Sequence, residues 1–301
     1  MVLTIKEQSL YWAIKNGSIS EINQAIQNGA DVNARDIEGR TPLMYACRCN
    51  ASKEVIELLI AKGAKVNAKE KVGWTPLIFA CANKATKEVI ELLINNKAKV
   101  NKKSNYGKTP LMYALCYEAP KEVIELLIAK GANVNAKDND SWTPLMFACV
   151  HEAPKEVIEL LIAKGAKVNA TNNGGRTPLM FACENKASKE VIELLIDKGA
   201  DVNAKDKVGR TPLMFAKEFN APKEVIELLK KAEEAQFAAL KKANKPNVNM
   251  KQKLAKLEQE NANLKQKIDE QKVQQALNNL QAKKIAKQRM RALRLGQYRH
   301  R

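Results

Sequence analysis

Histidine is nearly absent from this sequence: 301 residues contain two, His151 and His300. A lone His151 makes a poor general base, and its place at the end of a predicted helix suits it to line a groove instead. Long apolar runs are missing too. Segments such as VIELLIA are short and broken by Glu, which excludes a membrane-spanning helix. No Gly-rich phosphate loop follows a strand, because no segment alternates convincingly, and no Ser/His/Asp or paired-carboxylate constellation stands out. The Glu residues of the recurring KEVIEL lie beside Lys on solvated faces, where they support helix and solubility. Enzyme activity, a metal centre and a cofactor are therefore not expected. The six cysteines are not spaced as a disulfide framework. The opening MVLTIKEQSLYWAI has no basic stretch followed by an apolar one, so no secretory signal is expected. A reducing intracellular compartment, the cytoplasm, is the expectation; export by a signal-less route as a host-directed effector fits the same features.

What is present is repetition. KEVIELLIAKGAKVNA at 53–68 recurs unchanged at 155–170, and a copy at 121–136 differs only at Asn133. Thr-Pro-Leu begins at Thr41, Thr75, Thr109, Thr143, Thr177 and Thr211, at intervals of 34 residues. Pro in a first helical turn loses no hydrogen bond, so helix A of each unit starts there. Ser52, Thr86, Pro120, Pro154, Ser188 and Pro222 occupy one position before helix B, and all are helix-start residues. Val55, Ile56, Leu58, Leu59 and Ile60 make a wide apolar face, with Glu54 and Glu57 outward. Gly63, Gly131, Gly165 and Gly199 suit left-handed caps, and the polar remainder reads as a loop to the next unit. Lys97 replaces that glycine in one copy, which predicts the loosest loop of the array. One such helix pair cannot bury its own apolar face, whereas stacked neighbours can.

On Gly73-Trp74-Thr75-Pro76-Leu77, Lys62-Gly63-Ala64-Lys65-Val66-Asn67-Ala68 and their equivalents, the sequence resembles the ankyrin repeat family over about residues 7–243. The resemblance implies an all-α solenoid of paired antiparallel helices, with hairpin-like loops projecting to one side and a curved face that binds a protein partner. Two features depart from the family. Met44, Ile78, Met112, Met146, Met180 and Met214 stand where His is usual, so loop ordering is expected to rest on Thr and packing. The period also exceeds the usual 33 by one residue, placed between helices A and B. Residues 7–38 keep a shorter turn at Asn16-Gly17-Ser18 and read as a capping repeat before six 34-residue repeats. At the other end, Lys230-Lys231-Ala232-Glu233-Glu234 replaces the glycine cap, so the last helix B should run to about Ala243.

A recognition surface is sought where copies differ. The residue before Thr-Pro-Leu is Arg40, Trp74, Lys108, Trp142, Arg176 or Arg210, and two residues earlier lie Glu38, Val72, Tyr106, Asp140, Gly174 and Val208. The family places these at loop tips and on the inner helix surface. Trp, Tyr and Arg dominate many interfaces, so Trp74, Tyr106 and Trp142, flanked by Arg40, Lys108, Arg176, Arg210 and His151, are the predicted partner-binding set. The alternative is that Trp and Arg pack along neighbouring loops. The cationic tilt of the row favours an acidic partner surface. Tyr45, Phe79, Tyr113, Phe147, Phe181 and Phe215 recur at the repeat period among apolar neighbours and are assigned to the core. Cys47, Cys81, Cys149 and Cys183 share one position on equivalent helices spaced roughly 8–10 Å, beyond the about 7 Å a disulfide tolerates. They read as small buried hydrophobes.

Beyond Ala243 the period ends. Residues 244–247 contain Pro246 and read as a linker. Over 248–282 a coiled-coil-like helix is expected: Met250, Leu254, Leu257, Asn261, Leu264 and Ile268 alternate by four and three. Asn261 falls at an a position, where a buried Asn fixes a parallel dimer and its register. A lone exposed helix, or one folded back on the array, is the alternative. Residues 244–301 hold 15 Lys/Arg against four Asp/Glu, a balance of +11 out of the chain's +18. Residues 283–301 form a basic tail carrying Lys283, Lys284, Lys287, Arg289, Arg291 and Arg294. Such a run is either solvated or binds nucleic acid or an anionic membrane; with Tyr298 its only aromatic, stacking on bases is not supported. Two functions are thus weighed: a protein-binding scaffold with a self-associating or tethering helix, and a polyanion-associated adaptor localised by its tail.

Overall fold

The computed structural model describes the backbone of residues 3–243 and 248–297, and side chains over 3–239, at 253 and over 255–280. The linker expected at 244–247 lies outside the described residues. So do the side chains of Leu254, Lys283, Lys284, Lys287, Arg289, Arg291 and Arg294. Fifteen helices and no strand occur among the described residues. Two compact units divide within one helix, Met1–Gln236 and Phe237–Arg301.

In the first unit, α1 (Ile5–Asn16) and α2 (Ile19–Gln27) form the opening pair. Five pairs follow: α3 (Pro42–Arg48) and α4 (Lys53–Ala61), α5 (Pro76–Ala82) and α6 (Lys87–Asn95), α7 (Pro110–Cys116) and α8 (Lys121–Ala129), α9 (Pro144–Val150) and α10 (Lys155–Ala163), α11 (Pro178–Glu184) and α12 (Lys189–Asp197). α13 (Pro212–Glu218) then leads into α14 (Lys223–Ala243), which continues because no glycine stops it. Each A helix packs on the next, α1 to α13, and the B helices α2 to α12 pack likewise in a second layer. The core is one continuous strip of residues such as Leu43, Ile56, Leu77, Ile90, Leu111, Leu127, Phe181 and Phe215. The aromatic stripe lies in it, with Phe215 fully buried and Tyr45 packed at its edge.

Each A helix except α9 begins where a Thr side chain caps it. Thr41 Oγ1 accepts from the Met44 N–H at 3.4 Å, and Thr109 and Thr177 cap Met112 and Met180 alike. The methionines add a contact that sequence reasoning missed. Met44 Sδ accepts from the Thr41 N–H at 3.3 Å, and Met112, Met146 and Met180 repeat this at 3.4–3.5 Å. A thioether is a weak acceptor, so sulfur partly fills the role otherwise left to Thr and packing.

The extra residue of the period resolves a conflict in the turn between helices. In the first pair Ser18 both donates its N–H to Ala13 and caps α2 through its side chain. Later repeats divide the tasks. Ala51 donates back to Ala46, and Ser52 sits at the start of α4. The preceding residue is left-handed throughout, at Asn50, Lys84, Glu118, Glu152, Lys186 and Asn220, where the first repeat has Gly17.

The second unit is dominated by α15, Val248–Gln297. The helix anticipated over 248–282 thus continues through much of the basic segment. Lys, Arg, Ala, Leu and Gln are all strong helix formers, and Gly296 is the first breaker they meet.

Candidate interaction surface

The loops between repeats are closed by an acceptor four residues before the last loop residue. Asp36 Oδ1 takes the N–H groups of Glu38 and Arg40, each at 2.9 Å. Glu70, Asp138, Asn172 and Asp206 do the same in their loops. Ser104 is the exception: its hydroxyl receives Tyr113 Oη at 3.1 Å. Adjacent tips are then tied by single backbone bonds, Asn105 N–H to Val72 O at 3.0 Å and Asn139 N–H to Tyr106 O at 3.1 Å among them. Gly73 is required there. A Cβ would stand 2.5 Å from Asn105 Oδ1, and its φ is +82°.

A second ladder runs through the Val-Asn-Ala segment. Asn67 Nδ2 donates to Lys97 O and Asn67 Oδ1 accepts from the Lys99 N–H, both at 2.8 Å. Asn33, Asn101, Asn135 and Asn169 make the same two bonds to the following repeat. Each amide satisfies a carbonyl at a helix end that would otherwise lack a partner.

On these two ladders sits the row before Thr-Pro-Leu. Trp74 is half-buried between Phe79 (ring centroids 5.0 Å apart) and Tyr113 of the next repeat (4.6 Å). Trp142 lies between Phe147 at 5.2 Å and Phe181 at 4.3 Å. Arg176 repeats the geometry with a cation, 4.1 Å from the Phe181 ring and 4.4 Å from Phe215. Lys108 stands 4.7 Å over Phe147 and Arg210 4.4 Å over Phe215. Flat rings and guanidinium planes are interchangeable here because both stack on an aromatic face. Trp74, Lys108, Trp142 and Arg176 therefore staple their repeats to the next one.

The cations are largely satisfied within the chain. Arg40 pairs with Asp36 at 2.6 Å and Arg210 with Asp206 at 2.9 Å, while Arg176 pairs with Glu184. Lys108 has no carboxylate in ion-pair reach among the described residues. Burial opposes ionisation of Asp206, but N–H bonds from Arg210 and Val208 and the Arg210 guanidinium outweigh it and hold its carboxyl below the usual range. In Asp138 burial dominates the bonds from Trp142 and Asp140, and its carboxyl is raised.

Around the staples, apolar side chains lie open. Val72 is 39% exposed, Tyr106 58% and Tyr117 44%. Tyr117 stacks on Tyr113 with centroids 6.4 Å apart, and the Val72 carbonyl accepts from the N–H of Asn105, next to Tyr106. The tips of two repeats and one A helix thus share a patch. His151 caps α9 away from the loop tips and lines a cleft of 660 Å³ with Glu118, Lys121, Glu152 and Pro154. Burial lowers its imidazole pKa, against the pull of Glu118. Cys47, Cys81, Cys149 and Cys183 are free and buried, and burial pushes the Cys183 thiol up to about 12. In α15, Leu257, Asn261, Leu264 and Ile268 are all exposed.

A stack of recurring helix pairs, locked by amide ladders, defines the class: an α-solenoid repeat protein. The chain belongs to the ankyrin repeat family. It matches ankyrin repeats (three copies) over residues 54–138, 117–206 and 145–239, and ankyrin repeats (many copies) over 26–80. Among solved structures it is similar to the human ASB11 ankyrin repeat domain, at TM-score 0.65 and 27% identity, covering 74% of this chain and 96% of that one. It is likewise similar to the ankyrin repeat domain of Bcl-3, described as a unique member of the IkappaB protein family, at TM-score 0.61 and 26% identity, covering 74% and 97%. A comparison with curated protein sequences found no match. Ankyrin repeats are in general non-enzymatic modules for protein–protein interaction.

Proposed function

We propose that this protein is a binding scaffold whose partner docks along the loop tips and A helices, the concave side in this family, with α15 as a self-association or tethering element. The observation that carries the reading is the open apolar patch of Val72, Tyr106 and Tyr117 beside the half-buried Trp74. Clustered exposed apolar residues on an otherwise charged surface mark interaction sites. The acidic-partner expectation is weakened by the internal pairing of Arg40, Arg176 and Arg210. A neutral, aromatic-rich partner segment suits the patch better, with Lys108 free for one carboxylate.

Salt dependence tests this against the polyanion reading. The full chain is used as bait at 50 and 200 mM salt. Docking through aromatic anchors survives the change, whereas binding by Lys283, Lys284, Lys287, Arg289, Arg291 and Arg294 falls by orders of magnitude, about 10³-fold for six phosphate contacts. Loss of every captured protein at the higher salt would refute groove docking.

A further inference from the structure

The charges flanking the apolar face of α15 select its occupant. With Leu257 and Leu264 at d and Asn261 and Ile268 at a, the e positions include Glu258, Lys265 and Lys272. The g positions are Lys253, Glu260 and Lys267. All six side chains are exposed, and none forms an ion pair among the described residues. Residues 255–280 are exposed throughout, so among the described residues no side chain covers this face. Leu257, Leu264 and Ile268 are large apolar side chains left open.

We infer that this face is occupied by α15 of a second copy, parallel and in register about Asn261. In a parallel pair the g residue of one helix meets the e residue of the next heptad on the other. In register, Lys253 meets Glu258 and Glu260 meets Lys265, each on both sides of the pair, so four contacts are attractive. Asn261 meets Asn261 at an a layer between Leu254 and Ile268, where a slip of one heptad would set its amide against an apolar residue. The pairing ends where the attraction ends: Lys267 would meet Lys272, and Gln271 takes the next d position. A partner of other sequence would need the same alternation of Lys and Glu, which a second copy supplies by symmetry. The inference rests on α15 being the self-association element proposed above.

Two pairs of full-chain variants test it. Asn261→Cys under mild oxidation should give a 261–261 disulfide by peptide mapping, while Gln259→Cys, on the opposite side of the helix, should not. Glu258→Lys/Glu260→Lys makes all four flanking positions cationic, and Lys253→Glu/Lys265→Glu makes them anionic. Each alone should weaken dimerisation by about tenfold or more in light scattering, and an equimolar mixture should restore a dimer containing one of each. Equal cross-linking of both cysteines, or a mixture that stays dissociated, overturns the register. A wild-type chain that scatters as a monomer overturns self-association itself, so the two failures are distinguishable.

Discussion

Trp74 and Tyr113 belong to successive repeats, and their rings lie 4.6 Å apart. The tryptophan that varies from copy to copy is therefore also a joint between copies. This separates two kinds of residue in the predicted binding set. Trp74→Ala removes contacts with both Phe79 and Tyr113 and should cost about 2–3 kcal/mol, read as a lower midpoint in chemical denaturation. Tyr106→Ala, at an exposed tip, should stay within about 0.5 kcal/mol of the parent. Equal losses would mean that Tyr106 is also structural.

Two aspartates at the same loop position should respond oppositely to one substitution. Asp206 carries a depressed pKa, so its carboxylate stabilises the fold above the unfolded value of about 3.9, and this is lost as pH falls through the folded value. Asp206→Asn should therefore lower the melting temperature at pH 7. Asp138 carries a raised pKa, so its ionised form is disfavoured in the fold at neutral pH. Asn172 already makes the same two hydrogen bonds with an amide. Asp138→Asn should keep or raise the melting temperature at pH 7, and thermal scans at pH 4 and 7 check both signs.

Lys97 adopts φ +66° where five other repeats have glycine at +87° to +91°. A side chain in the left-handed region costs on the order of 1 kcal/mol. Lys97→Gly should raise the melting temperature by about 2–4 °C; an unchanged value would place no strain at this cap.

The thiols should divide into two groups. Cys49 is exposed and Cys116 partly so, whereas the remaining four are buried with raised pKa values. At pH 8 a thiol reagent should modify Cys49 and Cys116 first and reach Cys47, Cys81, Cys149 and Cys183 only as the array opens. Rapid modification of all six under native conditions would contradict the packing.

Much of this architecture could be read locally. From α3 onward Thr-Pro marks each A helix and the helix-start residue before Lys-Glu marks each B helix, while the lost glycine after Leu229 marks the long α14. What could not be read acts between repeats. Asn67 looks like an ordinary turn residue until its amide is seen to bridge Lys97 and Lys99. The balance of the variable row was hidden for the same reason. Arg176 and Glu184 are eight residues apart, at opposite ends of α11, and meet across the length of that helix. Sequence could pose the choice between anchor and staple for Trp74; three-dimensional neighbours were needed to show that it staples.

The most direct test of the scaffold reading compares three full-length baits at 200 mM salt: the parent, Tyr106→Ala/Tyr117→Ala, and Glu125→Ala/Glu159→Ala on the solvent side of the B helices. Captured proteins are quantified by mass spectrometry, with circular dichroism confirming that all three fold. A protein held by the parent should be held equally by the Glu variant and lost by at least about tenfold with the Tyr variant, as for a hot-spot pair. Equal capture by all three, or loss only with the Glu variant, would contradict the scaffold reading.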